Sequence, residues 1–311
     1  MQRQRPLAIL GALCFAGGGL SAQSPMLSAI RSLGLSADSG DIMVYYSAGQ
    51  LTRAKQIRAL ADPMAAYYRT KLGVSARISF AVIDSASWAR IPALAPFPVP
   101  FVSDSPSVAV IASNPLPAAL SAQLAQVPLT PPMPPSVAAS TRALGRDLSS
   151  MRDAIVLSWD AIALHEFGHR FTNAYGVGTP RRWMSEFLAN YWQVGFFVEN
   201  LPDLNRYGQM VADALPQLST PLPYTTLAEF ERYRQPPALS PDNYAWYQEE
   251  LTKRARAVYA DQGLDFLTRM RTAFPLGEKP APGDEEILRR LETISPGWRV
   301  WMTNFGAGRR P

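Results

Sequence analysis

Near the start of the chain, hydrophobic residues first show a pattern typical of a strand and then recur at the spacing of a helix. Residues 41–46 are rich in β-branched and aromatic side chains, which predicts a strand. Apolar residues then recur at helical spacing over residues 51–72, where Gly73 is the expected stop and Pro63 an expected kink or break. Residues 75–84 predict a second strand. The chain therefore begins with the order strand, helix, strand.

A segment rich in proline, alanine and serine follows at residues 91–138. Its prolines between residues 92 and 100 exclude a helix there. Residues 108–112 are short and apolar and lie between turn residues, which predicts an edge strand. The prolines at 131–135 indicate an exposed linker or loop. For residues 114–140, plain disorder is an open alternative.

From about residue 144 the apolar positions recur at helical spacing. The longest predicted helix covers residues 147–174, and Gly176 and Gly178 are expected to end it. Further helices are predicted at 183–198, 242–262, 264–274, 284–294 and 298–305. We therefore expect an α+β fold, with a small mixed sheet and helices in an N-terminal subdomain (23–140) and a mainly helical C-terminal part (141–311).

Residues 1–22 resemble a secretory signal peptide. Arg3 and Arg5 precede an apolar run of 14 residues, 7–20, and small residues follow before Gln23. The run is too short for a comfortable membrane span. We expect a secreted or periplasmic protein with no stable membrane insertion after cleavage; an uncleaved N-terminal anchor remains the alternative.

Composition limits the chemistry and the partners. The only cysteine, Cys14, lies in the predicted signal peptide, so a metal site in the mature protein must use histidine, carboxylate and water. Cleavage would remove Arg3 and Arg5 and lower the net charge from +5 to +3. This mild charge, without a basic run interleaved with aromatics, predicts no nucleic-acid partner.

Both histidines of the chain stand in one HExxH motif on the longest predicted helix, His165-Glu166-Phe167-Gly168-His169. Positions i and i+4 share a helix face, so the two imidazoles can hold one metal ion. Glu166 can then accept a proton from water on the metal. The alternative is an ordinary polar helix whose histidines are merely exposed.

Two histidines do not complete a catalytic zinc site, which needs a third protein ligand and an open position. With no third histidine and no mature cysteine, that ligand must be Asp or Glu if zinc binds. Glu186 is the best candidate, because it follows His169 by 17 residues in a mostly apolar helix. One alternative is that Glu186 is a surface acid near the helix start. Another is that Glu199 is the third ligand. We expect the Glu186 carboxylate and both imidazoles to lie within about 5 Å.

HExxH followed by a glutamate on the next helix resembles the gluzincins, zinc peptidases of the thermolysin and aminopeptidase-N kind. Trp183, Glu186 and Ala189 form a Trp-x-x-Glu-x-x-Ala pattern similar to the ligand helix of aminopeptidase-N-like and peptidase-MA-like members. About residues 40–305 fit the resemblance, although only these two motifs are specific. It implies a zincin-like fold, a Zn²⁺ cofactor and hydrolysis of a peptide or protein substrate.

The resemblance also implies roles for individual residues. His165, His169 and Glu186 would be the ligands, with Glu166 as general base. Asn190 matches the gluzincin acid that orients the first zinc histidine, here with an amide in place of the carboxylate. The alternative is that Asn190 is an ordinary polar helix residue. Two further residues are candidates for stabilising the oxyanion: Tyr244, which is placed like the catalytic tyrosine of aminopeptidase-N-like enzymes, and the nearby Tyr247. The alternative is that both tyrosines are packing aromatics.

The chain also departs from both groups. It has no later histidine of the thermolysin type and no Gly-x-Met-Glu-Asn segment, which in aminopeptidase-N-like enzymes holds the substrate amine. Aminopeptidase action is therefore in doubt, and endopeptidase or exopeptidase action stays open. A zinc-binding module without catalysis is the alternative function. The intact Glu166 argues against it, because a structural zinc site has no use for a base.

Overall fold

The computed structural model describes residues 15–17, 25–91, 101–104, 107–114, 134–145, 151–214, 222–232 and 241–307. Most of the predicted signal peptide lies outside the described residues. Residues 115–133, part of the segment 114–140 for which disorder was the alternative, also lie outside the described residues. No helix within the described ranges is both long and apolar enough to cross a membrane.

Within the described residues, six strands form one mixed sheet in the order β1-β5-β6-β4-β3-β2. Their bounds are β1 (Phe15–Gly17), β2 (Ser36–Asp38), β3 (Met43–Tyr46), β4 (Ser79–Ile83), β5 (Phe101–Asp104) and β6 (Ser107–Ala112). The pairs β1–β5, β3–β4 and β4–β6 are parallel. The pairs β2–β3 and β5–β6 are antiparallel.

The three predicted strands are present as β3, β4 and β6. The prediction that residues 108–112 form an edge strand is wrong, because β6 lies between β4 and β5. Strand β5 was missed, since four residues inside a proline-rich segment carry too short an apolar pattern to be recognised. The interior strand β4 is buried at Phe80, Ala81, Val82 and Ile83, which places apolar side chains on both faces of the sheet.

The rest of the described chain is mostly helical, and with the sheet it forms a mixed α+β fold as predicted. The helices are α1 (Pro25–Ser32), α2 (Leu51–Leu72), α3 (Ser85–Trp88), α4 (Pro135–Ala143), α5 (Met151–Ala174), α6 (Arg182–Asn200), α7 (Pro202–Ala214), α8 (Leu227–Glu231), α9 (Pro241–Gln262), α10 (Asp265–Ala273), α11 (Asp284–Ile294) and α12 (Trp298–Asn304).

Helix α2 runs through Pro63 without a break. Pro63 lies on the exposed side of the helix, where water can satisfy the carbonyl that loses its amide partner. The helix ends as predicted at Gly73, whose φ of 65° is the left-handed conformation that glycine adopts without strain. Of the two outcomes expected at Pro63, a break is therefore wrong.

The described chain divides into two compact units. The first, called here the sheet unit, comprises described residues within Ala12–Phe167 and Phe196–Leu215. On one face of its sheet, Ile30 of α1 and Trp88 of α3 pack against small and branched side chains of β4 and β6. The buried ion pair between Arg53 of α2 and Asp160 of α5 also belongs to this unit.

The second unit, called here the helical unit, comprises described residues within Gly168–Gly195 and Pro216–Pro311. Its core is aromatic and centres on Trp298, which is fully buried. Phe187 of α6 meets Trp298 edge to face at 5.0 Å between ring centroids. The guanidinium of Arg254 lies over the Trp298 ring, 4.4 Å from its centroid. This core fixes one face of α6, the predicted ligand helix.

Candidate metal centre

Helix α5 carries the HExxH motif and is continuous over all five of its positions. His165 and His169 are therefore one helical turn apart, as the sequence requires. The motif is buried rather than exposed: His165 is 5 %, Glu166 1 % and His169 9 % accessible. Phe167, between them, is fully buried and meets Phe80 of β4 edge to face at 6.3 Å. This burial disfavours the alternative of an ordinary surface helix.

Glu186 of α6 converges with both histidines. One ligand atom from each of His165, His169 and Glu186 lies within 4.8 Å of the other two. His169 Nε2 and Glu186 Oε2 lie 3.6 Å apart. The separation meets the limit of about 5 Å that the sequence predicted for a shared metal. The three residues therefore form a buried group that can hold a metal ion.

The alternative third ligand, Glu199, is not part of this group. It lies at the exposed C-terminal end of α6, more than three helical turns beyond Glu186. Glu186 is only 4 % accessible. A buried carboxylate is expensive unless it is paired or bound to a metal, so burial distinguishes the two acids.

Glu166 is the most informative residue of the motif. Its carboxylate is buried, and neither Oε1 nor Oε2 has a hydrogen-bond partner among the described residues. Leaving a buried carboxylate unsatisfied typically costs more than about 1–3 kcal/mol. Two imidazole nitrogens, one carboxylate oxygen and an adjacent base are also the donor set of catalytic zinc sites. The donor set present is therefore compatible with a zinc ion.

A close helix contact brings α6 to the motif. A Cβ atom added to Gly168 would meet the Ala189 oxygen at 2.5 Å and the Ala189 Cα at 2.8 Å. Only glycine fits at this point, because the obstruction is backbone rather than a flexible side chain. Ala189 lies nearly one turn after Glu186, so the contact fixes the stretch of α6 that carries the carboxylate.

A second contact holds the same two helices one turn further along. The indole nitrogen of Trp192 donates to the Thr172 hydroxyl at 2.9 Å, and that hydroxyl donates to the Gly168 carbonyl at 3.0 Å. Trp192 also stacks on Phe171, with 5.3 Å between ring centroids. The crossing of α5 and α6 is therefore fixed at two levels.

Ser185 orients one imidazole. Its hydroxyl lies 3.1 Å from His169 Nδ1. When this nitrogen carries the hydrogen and donates it to Ser185, Nε2 keeps its lone pair and faces Glu186. The sequence interpretation gave Ser185 no role, although its position directly before the candidate ligand was a usable signal.

Gln248 of α9 connects three of the predicted residues. Its side-chain nitrogen donates to Glu186 Oε2 and to the Tyr244 hydroxyl, each at 2.8 Å. Its side-chain oxygen accepts from Asn190 Nδ2 at 3.0 Å. Sequence reasoning also missed this residue, whose only signal was its place one turn after Tyr244. The predicted contact of Asn190 with the first histidine stays a prediction.

The two candidate tyrosines differ in what their hydroxyls contact. The Tyr244 hydroxyl accepts from Gln248 and is thereby linked to Glu186. The Tyr247 hydroxyl instead donates to the Thr226 carbonyl at 2.7 Å. Burial raises the pKa of Tyr247, so the phenol stays protonated in this contact. Of the two, Tyr244 is the better candidate for a role at the metal centre.

The start of α6 is held by an acid from α8. Glu231 accepts from the backbone nitrogens of Arg182 and Trp183, each at 3.1 Å. These amides have no partner within their own helix, and a carboxylate there is also favoured by the helix dipole. The side chain of Trp183 packs into the aromatic core against Trp298, with 6.0 Å between ring centroids. Both contacts fix the turn of α6 that precedes Glu186.

Comparison with known proteins adds no family to this geometry. A scan of family models, a search of curated proteins and a search of solved structures each gave no significant match. The functional assignment therefore depends on the residues themselves.

Proposed function

We propose that this chain is a zinc-dependent metallopeptidase of the gluzincin type, with a zincin-like fold. The observation that carries the proposal is the buried group of His165, His169 and Glu186 beside the unpartnered carboxylate of Glu166. A purely structural zinc site uses all its ligands for the metal and has no use for a buried free base. This combination favours catalysis over binding alone.

In the proposed reaction, His165, His169 and Glu186 would hold the metal. A bound zinc ion supplies a Lewis acid for the scissile carbonyl and makes water acidic enough to be deprotonated near neutral pH. Glu166 accepts the proton of the attacking water and passes it to the leaving amine nitrogen. Tyr244 donates a hydrogen bond to the carbonyl oxygen as negative charge develops there.

The proposed substrate is a peptide or protein. The predicted signal peptide supports action outside the cytoplasm, in a secreted or periplasmic location. A zinc-binding module with a binding or structural role is the competing proposal, and it predicts metal binding without hydrolysis.

The test compares wild-type protein with Glu166→Gln, purified without chelator. We expect about one zinc per chain in both proteins, and hydrolysis of a mixed peptide library by the wild type alone. Losing a general base typically lowers turnover by about 10²–10⁴-fold. Glu199→Gln is the matched control, because Glu199 is exposed at the end of the same ligand helix, and it should match the wild type.

Two results would contradict the proposal in different ways. Wild-type protein that contains no zinc would remove the metal centre altogether. Wild-type protein that contains zinc but cleaves no peptide would favour the zinc-binding module.

A further inference from the structure

We infer that Gln248 is a positioning residue that joins the metal ligand Glu186 to the proton donor Tyr244. The inference rests on the proposed function and assigns a role to a residue outside the HExxH and Glu186 motifs. All the residues that carry it lie in the helical unit.

Both polar atoms of the Gln248 amide group have hydrogen-bond partners. Its nitrogen has two hydrogens, and it donates to Glu186 Oε2 and to the Tyr244 hydroxyl, each at 2.8 Å. Its oxygen accepts from Asn190 at 3.0 Å. Rotating the amide by 180° would place its oxygen against the Glu186 carboxylate and its nitrogen against the Asn190 nitrogen. The Glu186 carboxylate, which can only accept when ionised, therefore fixes which end of Gln248 faces the ligand, and Asn190 is placed to donate to the other end.

The contact with Glu186 involves the oxygen that faces the metal centre. Glu186 Oε2 is the atom 3.6 Å from His169 Nε2. A neutral amide holds this carboxylate in place without adding a positive charge beside a dication. A lysine or arginine at position 248 would instead form an ion pair that competes with the metal. An uncharged donor is thus suited to orienting a ligand while leaving its charge to the metal.

The contact with Tyr244 sets the direction of its hydroxyl. Because the Tyr244 oxygen accepts from Gln248, its own O–H hydrogen must point away from Gln248. A phenol that stabilises an oxyanion has to act as a donor. Tyr244 is fully buried and stacks on Phe230 with 5.8 Å between ring centroids, so its ring has little freedom to turn. Gln248 therefore prepares Tyr244 as a donor.

The test separates metal binding from turnover with Gln248→Met, which keeps the side-chain length and removes all three hydrogen bonds of the amide group. We expect its zinc dissociation constant, measured by chelator competition, to rise about 10–100-fold, the usual cost of losing a group that orients a ligand. Gln262→Met is the control, because Gln262 lies at the far end of the same helix and bonds Asp261 and Arg269. It should bind zinc like the wild type.

Tyr244→Phe supplies the second part of the test. We expect it to keep wild-type zinc affinity and to lose turnover. In the double variant, zinc affinity should match that of Gln248→Met. Its turnover at saturating zinc should be close to that of Tyr244→Phe alone, since two residues that act as a unit have non-additive effects.

Gln248→Lys keeps a nitrogen donor but adds a charge. It provides a second test of the role of Gln248 if Gln248→Met lowers the unfolding temperature of the metal-free protein. We expect it to bind zinc more weakly than Gln248→Met. Unchanged zinc affinity in Gln248→Met, or wild-type affinity in Gln248→Lys, would overturn the inference while leaving the proposed function intact. Wild-type protein that binds zinc without hydrolysing peptides would overturn the proposed function and the role of Tyr244, but not the orientation of Glu186.

Discussion

The Cα of Gly168 faces the backbone of Ala189 so closely that a Cβ atom would lie 2.5 Å from the Ala189 oxygen. The two positions lie on the helices that carry HExxH and Glu186. Because position 168 carries hydrogen where other residues carry a Cβ, the turn of α6 that follows Glu186 can pack directly against the turn of α5 that carries His169. The glycine is a variable position of the HExxH pattern, yet here its size matters to the metal centre.

Gly168→Ala should weaken both stability and metal binding. Although alanine favours a helix more than glycine does, separating two packed backbones should lower the free energy of unfolding by about 1–3 kcal/mol. The zinc dissociation constant should rise at least about tenfold, because a displaced ligand loses its geometry. Urea unfolding of the metal-free protein and chelator competition measure the two effects.

Gly208→Ala is the matched control for that substitution. Gly208 lies in helix α7, and a Cβ atom added there meets nothing within 4 Å. This change should raise the free energy of unfolding by about 0.5–1 kcal/mol and leave zinc affinity unchanged. If Gly168→Ala behaved like Gly208→Ala, the close contact would not position Glu186.

The sequence predicts where helices and strands occur better than it predicts which of them lie side by side in the fold. Helical periodicity predicts residues 284–294 to the residue, and a buried strand at 75–84 contains β4. The edge assignment of residues 108–112 fails, because pairing on both sides of β6 requires knowledge of β5. Strand order depends on contacts between distant segments, which periodicity does not encode.

At the candidate metal centre, too, local sequence patterns predict some residues, whereas others depend on contacts between distant segments. Glu186 was predictable because an acid in an apolar helix needs a reason to be there. Ser185 and Gln248 are half-buried polar residues, and their only signals were their places directly before Glu186 and one turn after Tyr244. Their roles follow only from distances across α5, α6 and α9. The sequence thus indicates the residues of this buried group more readily than the residues that hold them in place.

Ser185→Ala should weaken zinc binding without unfolding the protein. The change removes the oxygen 3.1 Å from His169 Nδ1, so the imidazole loses the partner that fixes its tautomer and orientation. We expect the zinc dissociation constant to rise by about 10–100-fold. Ser140→Ala is the control, because the Ser140 hydroxyl bonds only the Ser136 carbonyl of its own helix among its described contacts. Equal zinc affinity in the two variants would assign Ser185 no role at His169.

Tyr244→Phe and Tyr247→Phe should separate catalysis from packing. Tyr244→Phe removes the proposed oxyanion donor, and turnover should fall by about 10²–10³-fold at unchanged zinc content. Tyr247→Phe removes the bond to the Thr226 carbonyl and should lower the free energy of unfolding by about 1 kcal/mol, with turnover retained. Peptide hydrolysis and urea unfolding report the two effects. Loss of turnover in Tyr247→Phe alone would reverse the assignment.

Arg53→Met should be among the most destabilising single changes in the sheet unit. Arg53 Nη1 donates to Asp160 Oδ2 at 2.6 Å, and Asp160 is fully buried in the helix that carries HExxH. Removing the arginine leaves a buried carboxylate without its counter-ion, which typically costs about 3–5 kcal/mol. Urea unfolding of the metal-free protein measures the loss.

The matched control for Arg53→Met is Arg69→Met in the same helix. Arg69 pairs with Asp41, but both side chains are about half exposed, so this loss should stay below about 1 kcal/mol. The double change Arg53→Met with Asp160→Leu should recover most of the stability, because it removes the buried charge together with its partner. If Arg53→Met cost no more than Arg69→Met, the buried pair would contribute little to holding α5 against α2. A double variant as unstable as Arg53→Met would show that the loss comes from packing rather than from charge.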